Sequence, residues 1–232
     1  MGPVVRLRSA VCLLGRFPAL AGVDLDVLAG EAVLVRGANG AGKTTLLRAL
    51  AGLVPVVDGE ARVLDTDLRA DRRSLRPRVG LLAHDPGAYD DLTVGENLRF
   101  WARAAGRPAA GTDDIADVLG LQGRLRDTPA GRLSAGQRRR LSVALVAVRR
   151  PELWLLDEPH AGLDAAGRDV LDGLVRAALA GGATVLVASH DVERAAALAG
   201  RQVVLAGGRV VEGGVAAVAG EVRPLAPALA DR

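Results

Sequence analysis

Gly37-Ala38-Asn39-Gly40-Ala41-Gly42-Lys43-Thr44, followed by Thr45, decides how this chain folds. The run fits G-x-x-x-x-G-K-[ST], in which glycines let backbone N–H groups close around phosphate oxygens while the lysine reaches the β- and γ-phosphates. Lys43 is the only lysine among 30 Lys plus Arg. A compact ammonium fits between two phosphates where a planar guanidinium fits poorly, so lysine survives here in a chain that otherwise uses arginine. Thr44 supplies a hydroxyl suited to Mg²⁺. The expected ligand is a nucleoside triphosphate.

The flanks agree with this reading. Glu31–Arg36 reads as a buried strand, and Thr45–Ala51 as a helix that stops at Gly52. Strand, glycine loop and helix together put a helix N-terminus under the phosphates. Guanine-specific GTPases also need an Asn-Lys-x-Asp motif, which a chain with one lysine cannot build.

Downstream, Leu133-Ser134-Ala135-Gly136-Gln137 precedes a helical pattern with Leu141, Ala144, Leu145 and Val148 on one side. Ser134 and Gln137 have the spacing of a capping box, and a helix start carrying Ser134 and the Gly136 N–H also suits phosphate. The apolar run Leu153–Leu156 ends in Asp157-Glu158. Carboxylates at the end of a buried strand lie where open α/β sheets bind ligands. Ala161-Gly162-Leu163-Asp164 follows, and after the strand Thr184–Ala188 comes Ser189-His190-Asp191.

In this order, and over essentially the whole chain to about Gly214, these motifs resemble the ATPase subunits of ATP-binding-cassette (ABC) transporters. The resemblance implies an α/β fold in one domain, 1–214. Its P-loop NTPase (RecA-like) core would span about 1–84 and 151–214, with a helical subdomain inserted at about 85–150 and an antiparallel β subdomain. An Ala/Pro-rich tail, 215–232, would follow. The ligands implied are ATP, cradled by Gly37 to Thr45, and Mg²⁺, held by Thr44 and Asp157. Glu158 would polarise the attacking water, with Lys43 and His190 beside the γ-phosphate. Asp164 would couple two sites across a dimer. Ser134, Gly136 and Gln137 would clamp ATP bound to a second copy, in an ATP-sandwich dimer. Separately encoded membrane-spanning subunits are the implied partners, and the cytoplasmic face of the cell membrane, as a peripheral protein, the implied location.

The sequence departs from the family in two places. Where most members carry glutamine, counting back from Leu92-Thr93-Val94-Gly95-Glu96-Asn97-Leu98, this chain has His84. Chance loss is one reading. The other is a subfamily trait, since ATPase subunits of the haem exporter for cytochrome c maturation are similar there and share Asn97-Leu98-Arg99-Phe100 and Leu133–Gln137. That reading is preferred, with a drug, lipid or antibiotic exporter as the alternative. The second departure concerns adenine. The stacking aromatic is expected at Leu14, and the nearest aromatic is Phe17, so the base rests either on Phe17 or on aliphatic surface.

Other classes fit less well. No sustained heptads separate Thr44 from Leu133, as a DNA-repair ATPase would need, and there is one cassette where translation factors have two. A kinase-like enzyme would leave Leu133–Gln137 and His190 without a role. With aromatics at 2% and a net charge of +3, no nucleic-acid partner is expected, and Arg138-Arg139-Arg140 reads as a solvated helix face. No apolar run reaches the roughly 18 residues of a membrane span. Cys12, the single cysteine, rules out an internal disulfide, is expected to pack in a strand, and suits a reducing cytoplasm. Further strands are expected at Val4–Leu7, Val11–Leu14, Val79–Ala83, Gln202–Ala206 and Arg209–Glu212, with Gly207-Gly208 as a hairpin turn. Thr93–Glu96 reads as a second capping box, and Ile115, Val118 and Leu119 as one helical face.

Overall fold

Four short runs rich in Val and Leu build the centre of the structure: β3 (Ala32–Arg36), β6 (Val79–Leu82), β7 (Leu153–Asp157) and β8 (Thr184–Ala188). The computed structural model describes residues 2–83 and 87–213. With β9 (Arg201–Ala206) and β10 (Arg209–Glu212), these strands form a six-stranded sheet in the order β10-β9-β3-β8-β7-β6. All neighbours are parallel except β10, which returns through Gly207-Gly208 as an antiparallel hairpin. Parallel strands covered on both faces need apolar residues at every position, which explains the continuous runs.

Alternate side chains serve two cores. Val33, Val35, Leu153, Leu155 and Leu186 face α1 (Lys43–Leu50) and a second sheet, whereas Leu34, Trp154, Leu156, Val185 and Val187 face the other layer of helices. The second sheet is antiparallel, in the order β2-β1-β4-β5, from β1 (Val5–Leu14), β2 (Phe17–Val27), β4 (Asp58–Val63) and β5 (Thr66–Asp67). The two strands expected over Val4–Leu14 are one, bent by register shifts between Leu7 and Val11. Ser9 at the bend has φ 47° and donates its N–H to Asp24. Pro18 is tolerated because β2 is an edge strand. Cys12 is fully buried in β1, and burial pushes its thiol up to about 11.

Between β6 and β7 the described chain is helical. α3 (Val94–Ala104), α4 (Thr112–Val118) and α5 (Ala135–Val148) pack on one another around Leu98, Ala102, Leu119, Leu121 and Leu141. The short α2 (Leu68–Asp71) precedes β6, and α6 (Ala165–Ala180) and α7 (Val192–Ala196) cover the far face. The buried stripe of α4 is Thr112, Ala116 and Leu119, so Val118 lies 52% exposed instead of sharing a face with Leu119. Those three positions are spaced i, i+4, i+7, which rotates Val118 well away from the contact.

Candidate functional site

The ends of β3, β7 and β8 converge, and each hands its next residues to the site. After β3 the chain turns through Gly37, whose Cβ would lie 2.3 Å from the Leu205 carbonyl oxygen; a Cβ at Gly42 would lie 2.7 Å from that of Ala19. Both glycines have φ values, 154° and 107°, that side chains rarely adopt, so crowding and backbone conformation both require glycine. Gly42 is the N-cap of α1 and brings no side-chain cap. The first-turn N–H groups of Lys43, Thr44 and Thr45 therefore lack a capping side chain, at the positive end of the helix dipole. Lys43 Nζ donates to the carbonyls of Gly37 (2.7 Å) and Ala38 (3.1 Å), folding the loop around its own charge. A cavity of about 260 Å³ opens here, lined by the loop from Asn39 to Thr45 with Leu14, Asp157, Glu158 and His190. Phe17 does not line it and is 80% exposed.

Glu158, one residue past β7, has a left-handed φ of 46°, a conformation costing about 1–3 kcal/mol for a non-glycine residue. Its N–H donates to the Ala188 carbonyl at 2.8 Å, locking the turn to the end of β8. Carboxylate Oε2 accepts from Ser189 Oγ (3.3 Å) and the His190 N–H (3.2 Å), and His190 Nε2 lies 3.7 Å from Oε1. Oε1 itself is buried and has no hydrogen-bond donor among the described residues. Two residues on, His160 is 3% exposed and its Nε2 lies 2.7 Å from Asp172, which accepts from Arg194 on α7. A buried polar link therefore joins the loop carrying Glu158 to the helix that follows His190.

α5 begins with the expected capping box. The Gln137 N–H donates to Ser134 Oγ (3.3 Å) and the Ser134 N–H to Gln137 Oε1 (2.9 Å). Ser134, Gly136 and Gln137 do not line the 260 Å³ cavity; Ala135 between them lines a second cavity, of about 540 Å³, together with Thr44, Asp157 and Glu158. Asp164 caps α6, accepting from the Gly167 N–H at 3.0 Å, and its carboxylate pairs with Arg140 at 2.8 Å. The hydrogen bond from Arg140, with that from Gly167, holds its carboxyl below the usual range. His84 lies outside the described residues, as does the tail 215–232.

The three consecutive arginines are not a solvated face. Arg138 pairs with Asp90, Arg140 with Asp164, and Arg139 turns inward to donate to the carbonyls of Ala83 (2.8 Å), Glu158 (2.6 Å) and Asp157 (3.4 Å). Burial lowers the pKa of Arg139, with the charges of Asp157 and Glu158 opposing. Arg139 was the residue concealed from sequence reasoning. The signal was its place directly behind the capping box, where a long side chain can reach back over the first turn.

Similarity to known proteins follows the same positions. The ABC transporter family matches residues 20–161. The chain belongs to the ABC transporter family. It is 46% identical over 186 residues to the cytochrome c biogenesis ATP-binding export protein CcmA of Bordetella bronchiseptica, covering 79% of this chain and 83% of that one. The protein of the same name from Nitrobacter winogradskyi is 41% identical over 180 residues, 77% of this chain and 88% of that one. Among solved structures, the ATP-binding subunit of an ABC transporter superposes with a TM-score of 0.81 at 26% identity, over 89% of this chain and 88% of that one. The ATP-binding cassette MJ0796, solved as a dimer in a post-hydrolysis state with ADP and Pi, gives 0.81 at 23% identity, over 90% and 97%. The chain is thus a nucleotide-binding ATPase cassette with a P-loop core, mixed parallel and antiparallel sheets and helices between them.

Proposed function

We propose that this ATPase energises an exporter serving cytochrome c maturation, with haem as the cargo. The observation that carries the reading is 46% identity across about four fifths of a protein named for cytochrome c biogenesis export. In this reading the chain works peripherally on the cytoplasmic face of the cell membrane, with separately encoded membrane-spanning subunits. A cavity of about 630 Å³ beside Leu53, Leu82 and Trp101, which Arg48, Arg76 and Arg149 also line, suits an amphipathic segment from such a subunit. Trp101 stacks there with Tyr89 (centroids 6.3 Å apart), which places aromatic surface at the cavity wall.

Phosphoryl transfer asks a protein mainly for positioning and charge stabilisation. Lys43 exchanges the Gly37 and Ala38 carbonyls for β- and γ-phosphate oxygens, while the N–H groups at the start of α1 meet the phosphates. Adenine rests on Leu14, an aliphatic wall of the same cavity. Thr44 and Asp157 share that cavity and would hold Mg²⁺, a hydroxyl and a carboxylate being hard oxygen donors suited to it. The metal would neutralise phosphate charge. Glu158 orients the attacking water through its carboxylate, whose Oε1 is left without a donor among the described residues, and His190 Nε2 stands 3.7 Å from that oxygen. Ser134, Gly136 and Gln137 complete the site of a second copy, in keeping with their absence from the lining of the 260 Å³ cavity, and Asp164 links the two sites.

The test is a haem stain of c-type cytochromes in membranes from a strain lacking the gene, complemented with wild type or Glu158→Gln. Loss of stain restored only by the wild type supports the proposal. An intact stain removes the cytochrome reading and leaves a drug, lipid or antibiotic exporter.

A further inference from the structure

We propose that Arg139 is a positioning residue for hydrolysis: its guanidinium holds the Glu158 backbone in the left-handed turn that aims the carboxylate. The proposal rests on Glu158 as the group that orients water.

The three neighbouring arginines differ in kind. Arg138 and Arg140 meet carboxylates whose side chains are 65% and 61% exposed, and such pairs contribute little. Among the described residues, Arg139 meets no carboxylate oxygen in hydrogen-bond range. It spends Nη1 and Nη2 on three backbone carbonyls, one ending β6 and two ending β7, and its buried Nε has no partner among the described residues. The shortest of these contacts, 2.6 Å, falls on the carbonyl of Glu158, the residue with φ 46°.

That carbonyl and the Glu158 N–H, bound to Ala188 at 2.8 Å, are the two handles on the turn. With both fixed, the side chain leaves in one direction, and Oε2 reaches Ser189 and His190 while Oε1, buried, keeps no donor among the described residues. With the guanidinium gone, the Glu158 carbonyl keeps only the Ala161 N–H at 3.2 Å, and among the described residues no donor on the α5 side opposes relaxation of the strained φ. A lysine cannot replace it, because one ammonium lacks the planar fork that reaches both strand ends. Arg139 lies five residues beyond Ser134, so the same tie makes the start of α5 move as one body with Glu158.

Misplacement of a reacting group by about 1 Å costs on the order of 10²-fold in rate. In the purified full-length protein, Arg139→Gln is expected to lower kcat for ATP by about 10–100-fold, while KM for ATP and the dissociation constant of ATP measured without turnover stay unchanged. Arg139→Lys is expected to recover little of the loss. Adding Arg139→Gln to Glu158→Gln is expected to cost nothing further, because both act through one carboxylate. Wild-type kcat in Arg139→Gln, a raised KM with intact kcat, or losses that multiply in the double variant would each overturn the proposal. If Arg139→Gln does not fold, Arg139→Lys carries the same double-variant comparison. Wild-type turnover in Glu158→Gln alone removes Glu158 as the water-orienting group, and this inference with it. A crippled Glu158→Gln beside a normal Arg139→Gln removes only the role of Arg139.

Discussion

The starts of α1 and α3 solve the same problem in opposite ways. Each helix begins with N–H groups that have no partner inside the helix. At α3 the protein closes them itself: Glu96 accepts from the Thr93 N–H at 2.8 Å, Thr93 accepts from the Glu96 N–H at 3.2 Å, and the fully buried Asn97 holds the preceding loop through Tyr89, Leu92 and Thr93. At α1 it places glycines and a lysine and leaves the turn open. The α5 start lies between them, boxed like α3, but with neutral Gln137 where α3 has a carboxylate. An anion at that position would repel phosphate, whereas an amide closes one N–H and leaves the positive end available. A capping box marks a helix, and the charge of the helix's third residue separates scaffold from site.

The largest effect comes from disabling the open start. Lys43→Met is expected to lower ATP turnover by roughly 10²–10⁴-fold, checked by steady-state phosphate release, with the unfolding midpoint little changed. Next, Gln137→Glu copies the α3 solution into α5. It is expected to weaken ATP-driven association of two copies by about fivefold, equivalent to a dipole-scale charge effect of ~1 kcal/mol, read by sedimentation with Mg²⁺-ATP. Its thermal stability should hold or rise, and normal association would break the comparison.

Smaller effects separate scaffold from site more finely. Thr93→Ala is expected to reduce unfolding free energy by about 1 kcal/mol in urea titration while kcat stays at the wild-type value. Ser134→Ala should lose a similar amount of stability and also turnover. Last comes acid. The backbone and hydroxyl of Thr93 hold the Glu96 carboxyl below the usual range. The stabilisation it gives is complete above the ordinary glutamate pKa and is lost as pH falls through the lowered folded value. The stability gap between wild type and Thr93→Ala should therefore narrow in acid, whereas the gap for Ser134→Ala, built on an amide, should not.

What could be read from sequence was what is local. Gly37–Thr45 and both capping boxes declare themselves within a few residues, and the runs at Leu153–Leu156 and Thr184–Ala188 are apolar because both faces of a parallel sheet are covered. β2 and β4 escaped. β2 mixes Pro18 and Gly22 with its alternation, and in β4 only Ala61 and Val63 are buried, so neither looks like a strand until paired with β1. Arg139 escaped for a related reason. Its partners lie 19 and 56 residues away, at Glu158 and Ala83, and no local pattern distinguishes a guanidinium facing water from one reaching two strand ends. The link from His160 to Asp172 was likewise invisible, because burial turns a loop histidine into a strut.

A lone lysine also changes how the protein can be studied chemically. Apart from the chain's α-amine, Lys43 is the single primary amine that an acylating reagent can find. It is 8% exposed, with its ammonium bonded to two carbonyls of its own loop, and a nucleotide bound as proposed would cover what remains. The mass added per molecule beyond that on the α-amine therefore counts vacant sites, one per chain, without a label on the nucleotide. Occupancy could be followed this way in an intact membrane, with the reagent's speed as the clock.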